Sequence, residues 1–448
     1  MRVMRGERCF TVEVAADGAG LVSHAGSALI AQVADKLGLT RALSLRLASL
    51  KQRRRGHDPG RVIRDLAVML ADGGECVSDL AAVRDQEALF GPVASDSTAF
   101  RVVDRVASEQ LLGELRAAHA RARERFWKIH GTPERLTIDI DATLITAHSD
   151  KERAAGNYKG GYGFHPLQAY GDETREALGG LLRPGNAGAN TAADHVTVLD
   201  RALAQIPAEH VEQIEILVRA DRAGATHELA DYCREGSMHF SLGYDLTETV
   251  RGAILETPED AWIAALEQDG SERANGEVCE LTDRVDLSSW PGGSRLIVRR
   301  ERPHPGAQLS FTDHDGYRFQ AILTDQPDED VAILERRHRQ RARVEDRIRD
   351  DKDTGLARLP FKQFALNEVW LEIVMLAHDL IVWTQALLLN GELADAEPKR
   401  LRYRLLHVAG RLAFHSRRAR LHLQRTWPWA GELAAAFEKL KALPAAAG

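Results

Sequence analysis

Residues 135–141 read Arg-Leu-Thr-Ile-Asp-Ile-Asp (RLTIDID), and their alternation decides the fold. In a strand of period two, Leu136, Ile138 and Ile140 point to one face, and Thr137, Asp139 and Asp141 to the other. Two carboxylates on one face of an apolar strand are costly unless a cation sits among them. Working outward, 163–170, 177–183 and 214–221 have the same strand character, and helical patterns occupy 195–206 and 226–234. Strands that come first and then alternate with helices indicate an α/β domain with a mixed sheet. The strand IEILVRAD (214–221) also ends in a carboxylate, Asp221. Ligands collect at the carboxyl ends of strands in open α/β sheets, so Asp141 and Asp221 are expected to converge there.

The flanks have a different texture. From about 21 to 126 the pattern is helical, with apolar residues three and four apart in 28–37, 59–72 and 110–127. Ser95-Asp96-Ser97 caps a short helix over 98–106 that carries Arg101 and Arg105. Such a region is consistent with helix-turn-helix DNA binding, and equally with a helical dimerisation unit. Residues 236–326 are β-rich and polar, with turn signals at 268–270, 291–293 and 314–316. Helix returns over 328–352 and 366–389, and 398–443 is again read as helical. Within that last segment, 399–425 holds nine Lys/Arg and no acidic residue. The expected organisation is a helical N-terminal region (1–130), the first part of an α/β core (131–235), a β-rich insertion (236–326), the rest of the core (327–390) and a basic helical C-terminal region (391–448).

Composition narrows the classes. The chain has 448 residues, of which 44% are hydrophobic, enough to bury a substantial core and to exclude low-complexity disorder. Its net charge of −7 speaks against a nucleic-acid partner until it is partitioned. Residues 1–130 carry 20 basic and 16 acidic side chains, 131–325 carry 18 and 33, and 326–448 carry 21 and 17. An acidic middle therefore lies between two basic ends. The four cysteines are widely spaced and form no zinc pattern, in keeping with a reducing compartment. The longest apolar stretch contains Glu368, Glu372, His378 and Asp379, a poor membrane span and a better buried helix. A soluble, cytoplasmic, nucleoid-associated protein is expected.

The helix predicted from Asp328 supplies a third acid. At about 100° per residue, His338, Arg341, Glu345 and Lys352 fall within a stripe roughly 60° wide, beside Leu334 and Ile348. The stripe therefore faces the protein. A carboxylate flanked by cations on an inward face suits a hard divalent metal next to phosphates.

The order Asp141, Asp221, Glu345, with 79 and then 123 residues between them, resembles the DDE transposases of bacterial insertion sequences. It is similar in particular to the branch with a Tyr-x2-Arg-x3-Glu-x6-Lys signature, here His338-x2-Arg341-x3-Glu345-x6-Lys352. The D-x-T of Asp141-Ala142-Thr143, YGFHPLQAY (162–170), LRPGNAGANTAADH (182–195) and LPFKQFALNEVW (359–370) match as well. The resemblance implies a ribonuclease H-like α/β catalytic core with a β-rich insertion before the glutamate, flanked by helical N- and C-terminal regions. It implies two Mg²⁺ (Mn²⁺ as a substitute) held by Asp141, Asp221 and Glu345, with Asp139 either joining them or tuning Asp141. Arg341 and Lys352 would hold terminal phosphates, and His338 stands where the signature has tyrosine.

The implied partners are double-stranded DNA, as terminal inverted repeats and as target, and a second copy of the chain in the synaptic complex. Arg53, Arg54, Arg55, Arg101, Arg105 and the 399–425 segment would neutralise phosphates. Trp290, beside a Pro-Gly-Gly turn, would either stack on a flipped base or lie in the β core. Two other classes remain: a nuclease or resolvase without strand transfer, and an inactive DNA-binding regulator derived from a transposase.

Overall fold

The computed structural model describes residues 2–5, 7–51, 53–211, 213–303, 313–328, 330–416 and 418–444. Its centre is a nine-stranded mixed sheet. The RLTIDID strand, Arg135–Ala142, runs through it, parallel to Glu215–Ala220 and antiparallel to Leu167–Gly171. Ala177–Leu181 closes one side, and His239–Tyr244 continues the other in parallel. Numbered by first appearance in the chain, these five strands stand in the order 3-2-1-4-5.

The insertion extends the same sheet. Arg318–Thr324 pairs antiparallel with His239–Tyr244, then Arg295–Glu301, Glu272–Glu280 and Ile263–Leu266 follow outward. The expected β-rich character of 236–326 is present, joined by a helix at Glu248–Leu255. The three turn signals are real turns: Gly270, Gly293 and Gly316 all have positive φ.

Helix Phe364–Leu388 forms the axis of the core. It is long and apolar enough to cross a membrane, yet nearly all of it is buried inside the protein. Helices Ser27–Lys36, Pro59–Ala71, Asp96–Val106 and Glu109–His130 pack on it from one side and the sheet from the other. A single hydrophobic cluster runs from Ala28 to Leu440 and includes Ile138, Val218 and Trp370. Its polar centre is a buried ion network. Arg123 donates to Glu176 (3.0 Å) and pairs with Asp379, and His119 lies 2.7 Å from Asp379.

Two expectations need correction. The 391–448 region is not helical throughout. Gly410–His415 and Arg418–Leu423 form an antiparallel hairpin whose first strand adds to Leu21–Val22. Its sequence, GRLAFH and RARLHL, alternates with period two, and the density of arginines obscured that alternation. Second, the 328–352 helix is not continuous. Val331–Arg339 and Arg343–Asp351 are joined by a 3₁₀ turn, Gln340–Ala342. Arg417 of the basic run lies outside the described residues.

Candidate active site

Register brings the two aspartates together. Ala220 pairs with Ile140, so Asp221 and Asp141 leave adjacent parallel strands side by side, about 5 Å apart along the backbone. Gly243 on the next strand allows this approach. A Cβ there would lie 2.8 Å from the Arg222 nitrogen and 3.1 Å from the Asp221 carbonyl carbon. Asp221 also caps the short turn Arg222–Gly224 through Oδ1, which accepts from the Ala223 N–H at 2.9 Å.

Glu345 meets them from the helix Arg343–Asp351. It lies on the wall of two cavities. One, of about 370 Å³, is lined by Asp141, Thr143, Glu345, Arg349 and Lys352. The other, of about 780 Å³, includes Asp221, Arg222, Tyr244, His338, Arg341 and Glu345. The signature residues His338, Arg341, Glu345 and Lys352 thus share one region, as the stripe predicted, despite the 3₁₀ turn.

Arg341 reaches Asp141 Oδ2 at 3.3 Å. Burial and the neighbouring Asp221 raise the pKa of Asp141, and Arg341 offsets part of that rise. Burial, with the nearby Lys159, lowers the pKa of Lys352. His338 is driven down to about 3 by burial and by the cations Arg341 and Arg219. It is a neutral imidazole, with Nδ1 2.9 Å from Ser241 Oγ. It therefore offers a phosphate a hydrogen bond and no charge.

Asp139 has a different task from Asp141. Arg219, its register partner on the next strand, donates to both carboxylate oxygens at 2.7 Å. Arg219 also pairs with Asp172 at 3.0 Å, and Asp172 with Arg343 at 3.2 Å. Burial pushes Asp139 up to about 6, with Arg219 opposing. Both of its oxygens accept from guanidinium, an arrangement in keeping with the second of its two expected roles, tuning Asp141.

Trp290 is half-buried, its ring 4.0 Å from His227 and edge-on to Tyr244 at 5.7 Å. Arg53, Arg54 and Arg55 are exposed in a loop before Pro59–Ala71. Arg101 is exposed and folds back on Ser97 and Thr98, while Arg105 is half-buried.

Sequence reasoning missed the layer beneath the site. Buried Asp351 accepts from Gln168 Nε2 (2.9 Å), Tyr170 Oη (2.6 Å) and His378 Nδ1 (2.6 Å). Gln168 is the register partner of Asp141, so this network ties the Glu345 helix to the Asp141 strand. His378 also donates from Nε2 to the Arg175 carbonyl at 2.9 Å and is therefore doubly protonated. Burial opposes that charge, but Asp351 raises His378 to about 9. The unfolded value is near 6.5, so this contribution to stability is complete below pH 6.5 and is lost as pH rises through 9. Urea midpoints measured from pH 6 to 10 are expected to fall across that window, and His378→Gln to flatten the fall.

The residues fit a hard divalent cation in their chemistry. All three acids offer oxygen, and two of them, Asp141 and Asp221, stand close enough for each to disfavour the other's charge. In this structure the acids are not drawn together as tightly as ligands. Among the described residues, the set of three ligand-type side chains with atoms within 4.8 Å of one another is His24, Asp72 and His407. That set is a clasp on the end of helix Pro59–Ala71. His24 Nδ1 donates to Asp72 at 2.5 Å, and Ser27 donates to the same carboxylate. His407 and Arg402 donate to the Asp72 and Ala71 carbonyls that the helix leaves unpaired. Burial works against the Asp72 charge, but these hydrogen bonds hold its carboxyl well below the usual range.

No curated protein matches the chain. Among solved structures it is similar to a piggyBac transposase synaptic complex with hairpin DNA, determined by cryo-EM. The two are 11% identical with a TM-score of 0.41, over 85% of this chain and 80% of that one. Residues 6–445 match the family described as transposase DDE domain group 1, and the chain belongs to that family.

Proposed function

We propose that this chain is a cut-and-paste DNA transposase that cleaves at transposon ends and joins the freed 3′-hydroxyl to target DNA. The observation that carries this reading is Glu345 on the wall of two cavities, one shared with Asp141 and Lys352 and the other with Asp221 and Arg341. The 3-2-1-4-5 strand order, with its first three strands antiparallel, supports a ribonuclease H-like core. Asp141, Asp221 and Glu345 would hold two Mg²⁺, which when bound supply Lewis acidity at the scissile phosphate and lower the pKa of an attacking water.

The chain's own groups do the positioning. Arg341, now on Asp141, is placed to turn to a phosphate oxygen, and its planar guanidinium suits that partner. Lys352, deprived of some solvation, gains from an anionic ligand. His338 donates a neutral hydrogen bond. Water attacks the donor phosphorus and releases a 3′-hydroxyl. That hydroxyl then attacks a target phosphodiester, forming one P–O bond and breaking another. Two ends must be held for concerted insertion, so the working form on DNA is a homodimer. The exposed Arg53–Arg55 loop and Arg101 would meet flanking duplex.

The test uses the DNA bordering the gene as labelled duplexes, intact and with precut 3′ ends, incubated with plasmid and Mg²⁺. Joining of precut ends to the plasmid is expected. Cleavage without joining would make the protein a nuclease, and neither reaction would make it a binding regulator.

A further inference from the structure

The C-terminal hairpin divides its side chains by chemistry. Register pairs Arg411 with His422, Ala413 with Arg420 and His415 with Arg418, and all six share one face. The other face is Gly410, Leu412 and Phe414 opposite Leu423, Leu421 and Ala419. Arg411, His415, Arg418, Arg420 and His422 are all exposed. Among the described residues none of the three arginines has an acidic partner, and 399–425 contains no acid to offer one. Three guanidiniums and two imidazoles thus share one exposed face of the hairpin with no acid among them, a surface that suits a polyanion.

Spacing narrows the polyanion. The outer rungs, Arg411/His422 and His415/Arg418, stand four residues apart, about 14 Å along an extended strand. The major groove of B-form DNA is about 12 Å wide and admits a two-stranded ribbon. The middle rung pairs a long arginine with a small alanine, which leaves Arg420 room to reach inward. The base of the ribbon is anchored. Its first strand pairs with Leu21–Val22, and on either side of it in the chain Tyr403, Trp427 and Trp429 pack edge to face on one another.

We propose that the 410–423 hairpin lies across the major groove of duplex DNA, with Arg411 and Arg418 on the phosphates of opposite walls and Arg420 on the base edges between. This rests on the transposase reading and adds to it the element that reads sequence. Arg420 would prefer guanine, whose O6 and N7 accept a bidentate guanidinium.

The experiment uses the full chain and a library of 30-base-pair DNA duplexes with a randomised centre. Arg411→Ala and Arg418→Ala are each expected to reduce the slope of log K against log salt by about 0.9. Both should weaken all library members alike, and R411K/R418K should restore the slope. Arg420→Ala is expected to flatten the sequence enrichment. Circular dichroism identical to wild type shows that the hairpin variants fold. A wild-type salt slope for R411A/R418A would overturn the proposal. So would equal affinity for an RNA duplex, whose A-form major groove is too narrow for a ribbon. If the wild type binds no duplex at any salt, the DNA reading itself falls, an outcome distinct from a hairpin that DNA does not touch.

Discussion

Glu345→Gln is expected to slow Mg²⁺-dependent strand cleavage at least 10³-fold, about 4 kcal/mol in the barrier. Glutamine keeps the shape of the side chain and removes the charge that the walls of both cavities share. Glu345 is exposed at the start of Arg343–Asp351, so the fold should lose no more than about 0.5 kcal/mol. DNA affinity should stay within threefold, because the arginines and Lys352 remain. Single-turnover cleavage of a labelled duplex reads the first quantity and anisotropy the second. Cleavage at the wild-type rate would remove Glu345 from the site.

Arg219→Met is expected to cost about 3–5 kcal/mol of stability. It strips both oxygens of buried Asp139 of their donors and takes one partner from Asp172, which keeps Arg343, so Asp139 is left without its guanidinium partner in the interior. The strand that carries Asp141 then carries an orphan charge two residues earlier. R219M/D139L should recover part of the loss, since it removes the unpaired charge along with its partner. Urea denaturation of the two variants tests this. A loss below 1 kcal/mol for R219M would mean that the pair does not hold these strands.

Much of this was legible before any coordinates. RLTIDID and IEILVRAD became adjacent parallel strands because their apolar alternation leaves each one register that buries Ile138 and Val218. Asp141 and Asp221 followed from that register. The buried helix 364–388 was legible from a long apolar run interrupted by ionisable groups, of which Glu372, Asp379 and His378 proved to be the partners of Arg116, Arg123 and Asp351. What stayed hidden depended on contacts between distant segments. Arg219 was the signal for Asp139, a lone arginine within an apolar strand, but its partner required the pairing. The Asp351 network joins residues more than 180 positions apart and has no local mark. The hairpin at 410–423 was misread because charge density was weighed over period. The contact of Trp290 with His227 was likewise hidden, since the two lie more than 60 positions apart.

The shared core also has a consequence in time. Helix Ser27–Lys36 packs against Ala430–Ala442, and Lys36 Nζ donates to the Leu443 carbonyl at 3.2 Å. At roughly 5–20 residues per second, some 20–80 s of synthesis separate the two helices. Through that interval the first helix lacks its C-terminal packing partner. The helix that carries Glu345 is tied to the same core through Asp351 and His378, so a nascent chain holds Asp141, Asp221 and Glu345 well before their scaffold is complete. On the proposed function, activity would then arrive late and all at once, a delay written into the topology.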